Sequence, residues 1–137
     1  EAGYLETIIF TGMEKNPVRA KFDTGNSAKA SMLHVDKLEV KGKKVFWEKN
    51  GHKFEGKVLY ISRPTRGQKA FDERPVIEHE IYFNNKKHIA EIALSLKDTA
   101  SEMLVNRKLM TKFKVAVNPN RRFILSNKTE RNDKSDH

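Results

Sequence analysis

Cysteine is missing from the 137-residue chain. Its absence excludes a disulfide-stapled scaffold, a cysteine nucleophile and every metal site built from thiolates. Long apolar runs are missing as well, because no stretch approaches the roughly 18 apolar residues that a membrane-spanning helix needs. The first ten residues lack the basic start and long apolar core of a secretory signal peptide. These absences predict no membrane segment and leave the cellular compartment open.

Acidic side chains are fewer than basic ones: 18 Asp and Glu stand against 27 Lys and Arg, which gives a formal net charge of +9. Such an excess attracts nucleic acids, acidic surfaces and other polyanions without selecting any of them. Hydrophobic residues make up 37% of the chain. That is enough apolar material for one core, and the length fits a single domain that buries roughly two thirds of its unfolded surface.

Short apolar and alternating runs recur along the chain and are separated by turn signals. The strongest local signal is Asn50-Gly51, because this pair suits both positive-φ positions of a type I′ hairpin turn. Residues 103–113 hold apolar side chains at spacings that predict one short helix near the end. The other runs predict strands, hairpins or loop-and-strand segments at 4–10, 17–22, 27–37, 75–83, 87–96 and 115–125, the last folding around an Asn118-Pro119 turn.

These elements together predict a mainly β fold, a small and largely antiparallel β-barrel or sandwich with one late helix. The domain is expected to span residues 1–126. Residues 127–137 form a polar tail that contains no apolar residue and is predicted to be disordered.

The segment Asp23-Thr24-Gly25 carries the candidate chemistry. It places a carboxylate directly after a predicted strand, then a hydroxyl residue, then glycine. Aspartic peptidases need a carboxylate at a sharp turn, a hydroxyl that fixes the loop, and a position without a side chain where backbone and water approach closely. The same residue types also favour ordinary Asx turns, so the tripeptide alone leaves both interpretations open.

Longer segments resemble a known family. The runs AKFDTGNSAKASMLH, RPVIEHEIYF, MLVNRKLM and FKVAVNPNRRFIL resemble the bacterial retropepsin-like aspartic peptidases, often labelled ATP-dependent zinc proteases, over nearly the whole chain except the tail. Two positions depart from the pattern. Asn106 stands where retropepsins usually have Gly, and Ala28-Lys29 stands where a small or apolar pair is expected.

The resemblance implies a closed β-barrel of the retroviral aspartic peptidase type with one short C-terminal helix. It also implies an endopeptidase that acts on peptide or protein substrates through an activated water. Asp23 would be the catalytic carboxylate, Thr24 would brace the loop and Gly25 would be the close-approach position. Arg107 would support the junction with the helix. Because the reaction needs two carboxylates that share a proton and one chain supplies one, the chain should form a homodimer.

Residues 62–71 are the candidate flap over an extended peptide substrate. Within it, Arg66 and Gly67 are the candidate substrate-binding residues, and Gly67 is also the candidate hinge. Asp98 is a rival second carboxylate, because it too is followed by Thr after an apolar run. Its flanking sequence shares little with that of Asp23, and half of this chain is very small for one lobe of a two-lobed peptidase. A structural role is therefore favoured for Asp98.

The zinc and ATP labels of the family find no support in the residues. His79-Glu80 begins like a His-Glu-x-x-His motif, but position 83 is Phe and the segment alternates as a strand. No Gly-x-x-x-x-Gly-Lys-Ser/Thr loop is present to hold a nucleotide phosphate. No serine lies in a Gly-x-Ser-x-Gly turn. No metal and no cofactor is predicted.

Two other functions stay open beside the peptidase. One is a basic β-barrel that binds nucleic acid, with Phe46, Trp47 or Phe54 as stacking surfaces. The other is an inactive peptidase homologue that dimerises and binds peptides without cutting them. For nucleic acid, the phosphate contacts would come from Lys41, Lys43, Lys44, Arg63, Arg66, Arg121 and Arg122. The arrangement around Asp23 favours the peptidase, although the sequence does not decide whether the chain is active.

Overall fold

The structure is a computed structural model that describes residues 1–63, 73–96 and 101–126. In these ranges the chain forms eleven strands and one helix. The strands are β1 (Ala2–Phe10), β2 (Val18–Phe22), β3 (Ser31–His34), β4 (Lys37–Lys41), β5 (Lys44–Lys49), β6 (His52–Lys57), β7 (Tyr60–Ser62), β8 (Arg74–Phe83), β9 (Lys86–Ser95), β10 (Met103–Val105) and β11 (Val117–Arg122), and the helix is α1 (Arg107–Phe113). No helix within the described ranges is long and apolar enough to cross a membrane.

Six strands close into a barrel in the order β1, β2, β10, β3, β9, β8 and back to β1. The ring closes where Ile9 and Phe10 of β1 pair with Tyr82 and Ile81 of β8. The β2–β10 and β3–β9 pairs run parallel, and the other four pairs run antiparallel. The predicted class, a mainly β closed barrel with one short helix, is confirmed.

Strands β4, β5 and β6 form a separate antiparallel sheet. The predicted turn between β5 and β6 is confirmed, because Asn50 and Gly51 have φ values of 51° and 80°. On the face of this sheet that packs on the barrel, Trp47 stacks on Phe54 with ring centroids 4.1 Å apart. Only 3% of Trp47 is exposed, which makes it a core residue and removes it as a stacking surface for bases.

The barrel interior and α1 share one hydrophobic core. The helix buries Leu109, Met110 and Phe113, and Phe113 contacts the rings of Phe22 and Phe83 at centroid distances of 5.9 and 4.7 Å. Aromatic pairs at such distances add about 0.5–1.5 kcal/mol beyond their buried area. This cluster fixes the end of β2, which is the strand that leads into the candidate site.

Two sequence predictions need correction. Residues 103–105, predicted as the start of the helix, form β10, because their backbone pairs with both β2 and β3. The helix begins only at Arg107. Residues 117–122, predicted as two strands around an Asn118-Pro119 turn, form the single strand β11 parallel to β1, but its register jumps between Asn118 and Arg122 and Asn120 N–H donates to the Asn118 side chain across Pro119. Pro119 is tolerated there because β11 is an edge strand, where a missing N–H breaks no sheet pairing. The predicted tail, 127–137, lies outside the described residues.

A buried carboxylate joins the two ends of the described chain. Glu6 is 0% exposed and accepts hydrogen bonds from the backbone N–H groups of Gly3, Ile124 and Leu125 at 2.7, 2.9 and 3.1 Å. The Ser126 hydroxyl also donates to it at 2.6 Å. β11 approaches β1 so closely that a Cβ on Gly3 would lie 2.6 Å from a backbone oxygen of β11. Glu6 therefore holds the segment after β11 against β1.

Replacing Glu6 by Gln should lower the free energy of unfolding by about 2–3 kcal/mol. The amide has one acceptor oxygen instead of two, so its NH₂ would face Leu125 N–H and the Ser126 hydroxyl, which now donate to Oε1, and the remaining hydrogen bonds lose their charged acceptor. Urea denaturation measures the loss. The matched control is Glu39→Gln, since Glu39 is an exposed carboxylate with 64% of its side chain accessible and should change stability by less than about 0.5 kcal/mol. Equal effects of the two changes would contradict this role of Glu6.

His79 lies where the three-stranded sheet meets the barrel. Its ring packs against Phe10, Trp47 and Phe54 at centroid distances of 5.4 to 5.6 Å. Nε2 lies 2.8 Å from the backbone oxygen of Thr11, so the neutral ring donates there. Burial lowers the pKa of His79 below 6.5, against the opposing influence of the Thr11 hydrogen bond and nearby carboxylates. The folded state therefore favours the neutral ring.

Acid should weaken the fold through His79. Because the folded-state pKa is below the unfolded value, the unfolded chain binds more protons, and stability present above about pH 6.5 is lost as the pH falls toward the folded-state pKa. Unfolding free energies measured between about pH 7.5 and about pH 5.5 should decline less steeply for His79→Phe than for the natural sequence. Met13→Leu, a core change without a titrating group, should keep the natural slope. Indistinguishable slopes for all three proteins would refute the assignment.

Candidate active site

The candidate catalytic loop begins where β2 ends. Phe22 is buried, Asp23 is half-buried, and Thr24 and Gly25 are exposed. The loop is folded by its own short-range hydrogen bonds: Asn26 N–H donates to the Asp23 backbone oxygen at 3.0 Å, and Gly25 N–H donates to Asp23 Oδ1 at 3.2 Å. The second of these hydrogen bonds closes an Asx turn, in which the Asp23 side chain accepts from the backbone two residues further on.

The junction between β10 and α1 holds this loop through three hydrogen bonds. Asp23 N–H donates to the Val105 oxygen at 3.0 Å, and Arg107 N–H donates to the Asn26 oxygen at 2.9 Å. Asn106, the residue between Val105 and Arg107, makes the third contact further along the loop: its side-chain Nδ2 donates to the Ala28 oxygen at 2.7 Å. Three consecutive residues therefore hold the loop along its length. This contact exists because β10 lies between β2 and β3, the two strands that the loop connects.

Asn106 is the polar centre of the junction and only 2% exposed. Its Oδ1 accepts from the Ser31 hydroxyl at 2.9 Å and from Leu109 N–H at 3.0 Å. Its own N–H donates to Ser31 Oγ at 3.1 Å. As the N-cap of α1, it satisfies a helix N–H that would otherwise lack a partner. The residue that departs from the usual retropepsin Gly thus fills the junction with hydrogen bonds.

The structure brings together the predicted Asp23 loop and the predicted Arg107 junction. Arg107 contributes its backbone N–H, and its side chain is exposed. In the described part of the chain the Thr24 hydroxyl has no hydrogen-bond partner, so the bracing of the loop within one chain comes from the junction. A Cβ on Gly25 would meet only Asp23 Oδ1, at 3.6 Å. The rest of the predicted site, Arg66 and Gly67 in the candidate flap together with Asp98, lies outside the described residues.

A basic cleft adjoins the loop. Its lining includes three lysines from the loop and the helix and one carboxylate from β9. Lys108 Nζ lies 2.8 Å from Glu91 Oε2, and this hydrogen bond raises the pKa of Lys108. Lys29 and Lys112 line the same cleft. Sequence reasoning missed it, because residues 29, 91 and 108 become neighbours only through the packing of β9, α1 and the loop.

The described part of the structure gives little support to metal binding or nucleic-acid binding. The described ranges hold no group of three or more His, Asp or Glu side chains placed to bind a metal ion. Several cations proposed for nucleic acid are paired with carboxylates: Lys41 with Glu39, Lys44 with Glu55, and Arg63 with Glu73. Together with the burial of Trp47, these pairs weaken the nucleic-acid hypothesis.

A six-stranded barrel with its Asp-Thr-Gly loop at a strand–helix junction defines a retropepsin-like protein. The sequence model of the RimB-like family, described as retropepsin-like aspartic endopeptidase RimB, matches residues 2–128. The chain belongs to the RimB-like family.

Similarity to a solved structure agrees with this fold. The crystal structure of Lpg0085, a protein of unknown function from Legionella pneumophila, is 24% identical. The alignment covers 91% of this chain and 97% of that one, with a TM-score of 0.73. At this identity the likeness supports the fold alone. Among curated protein sequences none matches the chain.

Ser31→Ala should destabilise the junction. The change leaves the buried Asn106 N–H without its acceptor and removes one donor from Asn106 Oδ1, which should lower the free energy of unfolding by about 1–3 kcal/mol. Thermal or urea denaturation measures it. Ser27→Ala is the matched control, because Ser27 is exposed in the same loop and should change stability by less than about 0.5 kcal/mol. A loss at position 31 no greater than at position 27 would argue against the buried pair.

Proposed function

We propose that this protein is an aspartic endopeptidase that acts as a homodimer. The observation that carries the proposal is the combination of a fixed backbone and exposed residues in Asp23-Thr24-Gly25. The junction fixes the backbone of this segment, while Thr24 and Gly25 are exposed and make no packing contact that explains their identity. A Cβ would fit at Gly25 within one chain, because its nearest neighbour would be at ordinary contact distance. The chain itself therefore leaves open space at Gly25, and the absence of a side chain there lets a substrate or a second copy of the loop approach the backbone closely.

The dimer supplies the second carboxylate. A two-fold axis through the loops would place Asp23 beside the partner's Asp23, since an isologous interface brings identical residues together at its axis. Two like charges at close range hold one shared proton. One carboxylate would take a proton from water while the other donates its proton to the carbonyl oxygen of the peptide bond. The water oxygen would attack the carbonyl carbon, and the carbon–nitrogen bond would then break as the amine gains a proton.

The exposed Thr24 fits this arrangement. Its hydroxyl is unsatisfied within the described part of its own chain and stands next to Asp23 at the surface. In a symmetric pair of loops it would be free to hydrogen-bond across the axis, and the bracing expected of Thr24 would then act between chains. Arg66 and Gly67 stay as the proposed substrate-binding residues of the flap.

The charge of the neighbouring cleft bears on substrate choice. Lys29 has no partner among the described residues and lies on the same cleft as Lys108 and Lys112. One carboxylate, Glu91, offsets part of this charge. A peptide with acidic side chains near the cut bond would be favoured there over a basic peptide, because opposite charges steer association and like charges oppose it.

Asp23→Asn should abolish peptide cleavage. General acid–base groups contribute on the order of 10²–10⁴-fold, and a neutral amide can neither take the proton of water nor share one with a carboxylate. Cleavage would be followed by mass spectrometry over a pH series with two mixed peptide pools, one with acidic and one with basic flanking residues. Asp36→Asn is the matched control, since Asp36 is an exposed carboxylate that caps the β5–β6 turn through Asn50 N–H.

The outcomes separate the hypotheses. Loss of cleavage in Asp23→Asn and its retention in Asp36→Asn, with a dimer in analytical ultracentrifugation, support the proposal. Cleavage that survives in Asp23→Asn overturns it. A natural protein that dimerises and binds the peptides without cutting them is the inactive homologue.

A further inference from the structure

We infer that Asn106 is a positioning residue for the catalytic loop, acting through the hydrogen bond from its Nδ2 to the Ala28 oxygen. The inference rests on the proposed function, because the loop it positions carries Asp23. It goes beyond the N-cap role of Asn106, which by itself concerns only the helix.

The first argument is where the contact lies. Val105 and Arg107 hold the start and middle of the loop through backbone atoms, and backbone atoms are present whatever the side chains are. The contact to Ala28 lies further along the loop than the other two contacts, and it is made by a side chain. Within the described residues, it is the contact between junction and loop that depends on the identity of a junction residue.

The second argument is chemical. The Asn106 side-chain amide carries an acceptor oxygen and a donor nitrogen on the same carbon. It accepts hydrogen bonds at Oδ1 from Ser31 and Leu109 while Nδ2 donates to Ala28. Ser or Thr can cap a helix equally well, but their single oxygen lies one atom closer to the backbone. Asp can accept at both oxygens, but when ionised it has no proton to give to Ala28. Of the residues that cap helices well, Asn serves the helix and the loop together.

The third argument is the burial. Asn106 and Ser31 are 2% and 1% exposed, so water cannot take over the hydrogen bonds between these two residues without opening the junction, whereas the hydrogen bond to the exposed Ala28 is part-buried. Buried amides that keep all their partners restrict the conformations of the segments they join. Asp23 lies five residues before Ala28 and is anchored at its own N–H. Asp23 Oδ1 accepts from Gly25 N–H inside this segment, so holding both ends of 23–28 also holds the donor that orients the carboxylate, as a proton-sharing pair requires.

The decisive variant is Asn106→Ser. Serine keeps a good N-cap for Leu109 N–H and adds no charge, but it cannot reach Ala28. The matched control is Thr111→Gly, in the same helix on an exposed turn. It weakens the helix by intrinsic propensity and by removing the hydrogen bond from the Thr111 hydroxyl to the Arg107 oxygen, but it touches no atom of the loop.

Two readouts are compared in the full chain. Amide hydrogen exchange by NMR should show Asn26 and Arg107 N–H exchanging at least about 10-fold faster in Asn106→Ser, with Leu109 N–H changed less than about 3-fold. Steady-state cleavage of the peptide that the natural protein cuts best should show kcat lowered by about 10-fold or more with KM changed less than about 3-fold. Thr111→Gly should leave kcat and the loop amides within about 3-fold of the natural protein.

Unchanged exchange at Asn26 and Arg107 in Asn106→Ser overturns the inference, whatever happens to activity. An equal loss of kcat in Thr111→Gly also overturns it, because the effect would then come from helix stability. If the natural protein cuts no peptide, the proposed function fails, but the exchange experiment still decides whether Asn106 holds the loop.

Discussion

The candidate site depends on the insertion of β10 between β2 and β3. Those two strands are joined by the Asp23 loop, and β10 lies seventy or more residues later in the chain than the residues of β2 and β3 with which it pairs. Because β10 runs parallel to β2, their ends lie at the same edge of the barrel. The residues that follow β10 therefore meet the residues that follow β2. The contacts that the Asp23 loop makes with Val105, Asn106 and Arg107 are all a consequence of this pairing.

The helix completes the arrangement from the other side. Its N-terminus is capped by Asn106, which also bonds the loop, and its C-terminal Phe113 packs on Phe22, the residue before Asp23. The same short element thus contacts the segments before and after Asp23, with a polar network at one end and an aromatic cluster at the other. A buried hydrogen-bond network sets direction, and an apolar cluster supplies most of the stabilisation by burial. Glu6 also joins distant segments through buried hydrogen bonds: it holds the segment after β11 on β1 without a disulfide.

Much of this could be predicted from the sequence where the signal is local. The Asn50-Gly51 turn, the early strands and the presence of a late helix depend on neighbouring residues, and the structure confirms them. The errors occur where long-range pairing overrides local preference. Met103 to Val105 suit a helix by spacing, yet the open position between β2 and β3 makes them a strand. Pro119 signals a turn, yet the free edge of β1 draws the segment around it into β11, where an edge strand tolerates proline.

The sequence by itself determined the class of fold, the family and the identity of the candidate loop, because Asp23-Thr24-Gly25 is contiguous and the resemblance extends along nearly the whole chain. Only the tertiary structure decided what surrounds the loop. Asn106 reads as a departure from the family pattern until the fold places Ser31 and Ala28, more than seventy residues earlier in the chain, against its side chain. A buried hydrogen-bond network has no periodicity and no fixed spacing, so its members are recognised only after the strands that carry them have paired.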